Sequence, residues 1–182
     1  FDIPIDTDDA ILSCDVDAQY AYFGSTEGTV WIYSLADVLE EDTHPQPLKS
    51  FSAFANGGVS AICAAGEGSM GRKGSGTTTT SLVTGGTLGE MKQWELIPRG
   101  ENGLEYWPKL ASQTMPGKAH IFKSRDQTEI LSIWVIQKDV LLSATRQDLT
   151  IWDPATGKVS FEMQGLEFGD TTNSCSVVVV SN

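Results

Sequence analysis

The chain has 182 residues, 40% hydrophobic and 20% charged, which allows a buried core and excludes gross disorder. Twenty-four acidic against 12 basic side chains give a formal net charge of −12. A surface this acidic repels phosphate backbones, so nucleic-acid binding through a broad basic face is not expected.

No apolar run reaches the roughly 18 residues of a membrane-spanning helix, and no signal-peptide layout is visible, so no membrane span is expected. The three cysteines, Cys14, Cys63 and Cys175, are odd in number, far apart and without a Cys-x-x-Cys pair. Together with the lack of any Asn-x-Ser/Thr acceptor, they favour a reducing compartment, cytoplasmic or nuclear.

In chain order, Phe1–Ile5 reads as a single strand, followed by the acidic cluster Asp6, Asp8 and Asp9. That cluster lacks the Gly and closing Glu of a calcium loop and is expected to be a solvated turn. Ile11–Cys14 then begins a series of four short strands. Tyr20–Ser25, Thr29–Tyr33 and Leu48–Phe54 follow, with at most one helical turn at Leu35–Glu41. The series starts again with Val59–Ile62, Leu82–Gly86 and Met91–Glu95, its fourth strand being ill-defined between Leu104 and Met115. A third series runs Ile130–Ile133, Val140–Ala144, Leu149–Asp153 and Lys158–Met163, and Ser174–Val180 opens a fourth. The small residues Ser13, Ala61, Ser132 and Ser174 occupy matching places, 48, 71 and 42 positions apart. The two longer intervals each contain an insertion. Alternating strands joined by Gly-containing turns and repeated at this period predict four-stranded propeller blades.

Three in-phase segments carry a family resemblance. Thr150-Ile151-Trp152-Asp153 resembles the ending of the third strand in a WD40 repeat, and Gln93-Trp94-Glu95 is a conservative variant of it. Gly24–Val30 resembles the preceding hairpin, with Tyr33 where Trp is usual. The resemblance implies an all-β fold, a β-propeller of WD40 type with about three complete four-stranded blades and partial blades at both ends. The expected boundaries are an outer strand at 1–8, blades at 9–56, 57–117 and 128–165, and the first strand of a next blade at 170–182. Tyr33, Trp94, Glu95, Trp152 and Asp153 are the structural WD-type positions it assigns. The Gly-His pair that often opens a WD40 repeat is missing, and Glu27 and Leu88 stand where the turn Asp is usual. The third hairpin is also one residue shorter. The His–Ser/Thr–Asp–Trp hydrogen-bond network of the family is therefore not expected intact. Three blades would leave apolar faces open, so further blades or a partner chain are expected to complete the ring.

The blade at 57–117 contains a low-complexity insertion, 66–80, whose composition predicts disorder. Within it, Gly66–Gly71 is a formal G-x-G-x-x-G, but no helix-forming sequence follows, so a dinucleotide site is not expected. The Walker pattern fails at Arg72, where lysine is needed. A second insertion, Pro98–Gln127, holds the most basic local sequence, and Tyr106, Trp107, Lys118, His120, Lys123 and Arg125 in it form the candidate interaction loop. The alternative is a long connection covering a blade edge, with Trp107 folded inward.

His44 and His120 are the only histidines and neither joins a ligand cluster, so no metal site is expected. No G-x-S-x-G elbow occurs, and no catalytic residue or cofactor is expected. Cys14, Cys175 and Trp134 are predicted core residues. The expected function is a protein–protein interaction scaffold or adaptor, not an enzyme, with other proteins as partners. The alternatives are a quinoprotein-type oxidoreductase, from the turn Asp153–Val159, or a structural subunit of a large complex.

Overall fold

The computed structural model describes residues 9–40, 45–65, 80–99, 105–110, 121–123, 128–137, 140–154 and 157–165. The first sheet has the order β1 (Ile11–Val16), β2 (Tyr20–Ser25), β3 (Thr29–Ser34) and β4 (Lys49–Ser52), with the short helix α1 (Leu35–Leu39) after β3. The second is β5 (Val59–Ala65), β6 (Thr80–Gly86), β7 (Glu90–Arg99) and β8 (Glu105–Leu110), with β9 (Ile121–Lys123) also pairing β7. The third is β10 (Ser132–Gln137), β11 (Val140–Ala144), β12 (Leu149–Asp153) and β13 (Lys158–Met163). Neighbouring strands within all three sheets pair antiparallel, in the order expected of blades.

Each hairpin forms for a local reason. Gly28 and Gly89, both at φ 76°, close the turns between second and third strands of the first two blades. A left-handed backbone of this kind favours glycine. The third blade reaches the same result without glycine. There the Thr145 hydroxyl accepts the N–H groups of Gln147 (3.2 Å) and Asp148 (3.0 Å), and the Thr145 N–H donates to the Asp148 carbonyl. Ser34 caps α1 by accepting from the Asp37 N–H, and the helix ends after five residues.

The blades stack through a joint that occurs twice. The hydroxyl of Ser13 on β1 donates to the Val59 carbonyl at 2.7 Å, and that of Ser60 on β5 donates to the Ile130 carbonyl at 2.8 Å. Gly24 faces Val59 so closely that an added Cβ would lie 2.6 Å from its Cγ1. Gly85 faces Ile130 in the same way, with 2.6 Å to Cγ2. Two buried cores fill these joints. Tyr22, Val30 and Ile32 pack with Ile62, Leu82 and Trp94 in the first, and Val83 and Met91 with Ile133, Leu141 and Trp152 in the second. Full burial of a chain such as Leu82 or Leu141 contributes about 2 kcal/mol.

Several details depart from expectation. The third blade's first strand begins at Ser132, because Ile130 donates its N–H to Gly86 of the blade before, bridging the joint. The ill-defined fourth strand of the second blade is Glu105–Leu110, and the same sheet takes in Ile121–Lys123, beyond the boundary expected at 117. Cys14 was expected in the core and is exposed. It occupies the place that Ile62 holds in the second blade, where a preceding blade buries the side chain. No preceding blade stands among the described residues. Trp134 is half-buried. The expectations for 1–8, Cys175, His44, the G-x-G-x-x-G, Arg72 and Ser174–Val180 fall outside the described residues, as does the insertion at 66–80 apart from Thr80.

Candidate functional site

Two groups of predicted residues are separated by the architecture. The positions expected to be WD-type, Tyr33, Trp94, Glu95, Trp152 and Asp153, lie on the third strands of the blades. Trp94 pairs with Leu82 and Trp152 with Leu141, so both rings occupy the same place on the third strand. Each indole N–H donates to a hydroxyl on the neighbouring second strand, Trp94 to Thr84 and Trp152 to Ser143, both at 2.9 Å. A buried indole needs such an acceptor, and these two have one. Tyr33 holds the same place in the first blade opposite Ala21, and Phe23 replaces the hydroxyl residue. The two rings meet edge-on at 5.6 Å, and burial pushes the Tyr33 phenol up, keeping it neutral.

The second and third blades thus share an aromatic–hydroxyl pair, and the first has an aromatic contact in its place. Glu95 pairs with Ser81 and Lys109 along β7, and Asp153 with Lys158 where β12 turns into β13. The turn after Asp153 closes by a Gly157 N–H bond to the Asp153 carbonyl at 2.8 Å, with Gly157 at φ 68°. This explains the Asp153–Val159 motif as hairpin geometry.

Other polar groups are committed to holding the first joint. Asp15 accepts the Ala64 N–H across it at 2.7 Å, and the Lys92 ammonium donates to the Ala53 carbonyl at 2.8 Å while lying 4.9 Å from the Phe54 ring centre. Cys63 lies in the second joint. Burial pushes its thiol up to about 11, the Val135 N–H hydrogen bond working in the opposite direction, so it is protonated at neutral pH. On the exposed side, Asp9 accepts the Thr26 hydroxyl at 2.6 Å and the Glu27 N–H at 3.0 Å. Slight burial raises its pKa, but the hydrogen bonds from Thr26, Ser25, Glu27 and Ala10 outweigh this, and the net shift is down. Among the described residues, no group of three or more His, Cys, Asp or Glu could hold a metal ion.

Three of the candidate interaction residues, Tyr106, Trp107 and Lys123, map to the outer strands of the second blade. Tyr106 and Trp107 lie on β8 opposite Pro98 and Ile97, within a regular strand, and Lys123 lies on β9 opposite Glu90. Glu90 and Ile97 are roughly 23 Å apart along an extended strand, so Trp107 and Lys123 flank opposite ends of β7. Lys118, His120 and Arg125 are outside the described residues. The second blade's fourth strand is therefore built in two pieces. Leu110 pairs with Trp94 and Ile121 with Lys92, so the pieces end and resume two residues apart along β7. The hydroxyl partners Thr84 and Ser143 were not singled out from sequence, although each precedes its tryptophan by nine or ten residues and could have been found by that spacing.

No protein-family profile matches the chain, and the comparison with curated proteins gives no match. Solved structures do match. The computationally designed Ika4 protein superposes with a TM-score of 0.55 at 15% identity, over 91% of this chain and 79% of that one. A chain of the mitotic checkpoint complex gives 0.56 at 16% identity, over 87% of this chain and 39% of that one. The β-propeller domain of Myceliophteria thermophila Cps50 (Swd1) gives 0.55 at 11% identity, over 87% of this chain and 42% of that one. The fold is a stretch of β-propeller. The chain spans about four-tenths of the length of the last two structures, and likeness at these identities concerns the fold alone. Among the described residues no helix is long and apolar enough to cross a membrane.

Proposed function

We propose that the chain is part of a WD40-type propeller that serves as a protein–protein interaction scaffold in the cytoplasm or nucleus. The observation that carries this reading is the repeated aromatic–hydroxyl pair, Trp94 with Thr84 and Trp152 with Ser143, at equivalent places in consecutive blades. Such pairs make the strands a rigid frame, and in a rigid frame function belongs to the edges and loops. Asp15 and Lys92 are engaged with backbone in the first joint, and the partly buried Cys63 thiol is protonated, which favours a binding role over catalysis. Further blades, or a partner chain, complete the ring beyond the third blade, where Phe161 and Met163 are 51% and 44% exposed.

The partner surface is the outer edge of the second blade, where Tyr106 and Trp107 supply the residue types that dominate interface hot spots. Close to these strands in sequence, Lys118, Lys123 and Arg125 add positive charge suited to an acidic protein partner. The test is affinity capture from lysate with the parent chain, a Tyr106→Ala/Trp107→Ala variant and a Lys118→Glu/Lys123→Glu/Arg125→Glu variant. Circular dichroism and urea melts would establish that each variant is folded. Loss of the same captured proteins in both folded variants is expected. An unchanged set of partners would overturn the assignment of this edge, and capture of no protein by the parent would overturn the scaffold reading.

A further inference from the structure

We draw no further inference here: the strongest candidate, the partly exposed apolar surface of the third blade around Trp134, Ile151, Phe161 and Met163, carries nothing because nothing among the described residues shows what covers it.

Discussion

Trp152 donates its indole N–H to Ser143 at 2.9 Å, reaching from the third strand to the second within the last described blade. Trp94 and Thr84 repeat the bond at the same length one blade earlier. Both pairs are buried, so each bond exchanges poorly with water and its loss leaves a buried polar group without its partner. Trp94→Phe and Thr84→Val should each destabilise the chain. A double-mutant cycle between them in urea should give a coupling of about 1 kcal/mol. A coupling near zero would show that the indole is held by packing alone.

The close approach at Gly24 makes a sharper prediction. A methyl group there would meet Ser13 Oγ and Val59 Cγ1 at 2.6 Å, and Val59 Cβ at 2.7 Å, in the middle of a joint. Gly86 lies nearby, but the nearest atoms to a methyl there would be those of the Phe54 ring, at 3.2–3.3 Å. Gly24→Ala should therefore cost about 1–3 kcal/mol, the usual range for overpacking, and Gly86→Ala clearly less. Adding Val59→Ala to Gly24→Ala should recover only part of the loss, because the Val59 Cβ and the Ser13 hydroxyl remain in place.

Asp9 should give the chain a pH-dependent component of stability. Its folded pKa lies below the ordinary value of 3.8, so the unfolded chain binds the proton more readily. The contribution is present above about pH 4, as expected for a carboxylate of this kind, and disappears as pH falls through the lowered folded value. Comparing parent and Asp9→Ala melts at pH 6 and pH 3 should show a small stability difference at the higher pH that shrinks at the lower. The effect is modest because the group is largely exposed to solvent.

The two described thiols should differ in reactivity. Cys14 is exposed, whereas Cys63 is partly buried in the second joint with its pKa raised to about 11. Peptide mapping after brief iodoacetamide treatment at pH 7.5 should find Cys14 alkylated and Cys63 protected. Cys63 should react at urea concentrations that separate the second and third blades. Early alkylation of Cys63 would mean that this joint opens without global unfolding.

Much of the strand order was readable because its signals are local. Gly28 marks its turn, Val140–Ala144 is a short continuous apolar run, and Leu149–Asp153 and Lys158–Met163 carry their own local pattern, so that the bounds of all three match the folded strands. The divided outer strand was not readable. Its pieces are defined by which residues lie opposite β7, Leu110 against Trp94 and Phe122 against Met91, and periodicity does not report pairing partners. Cys14 fails for a related reason. Its small size and place in the repeat match a core residue, but burial depends on a neighbouring blade, which its own strand does not encode. The candidate site was legible as composition only. Basic and aromatic residues between 98 and 127 suggested one loop, whereas Trp107 and Lys123 belong to two strands at opposite ends of a third.

The two-piece outer strand has a consequence for how such a chain can vary. The interruption between Leu110 and Ile121 falls at the rim, away from the joints that carry Ser13, Ser60, Gly24 and Gly85. A strand in the middle of the sheet must satisfy partners on both sides and cannot change length at one point without shifting register. At the rim, β8 and β9 pair only with β7 among the described residues, both antiparallel to it. Lineages can lengthen, shorten or replace the intervening peptide without disturbing the frame. The periphery of this blade is a natural graft point, where new sequence can be tried while the interior stays constant.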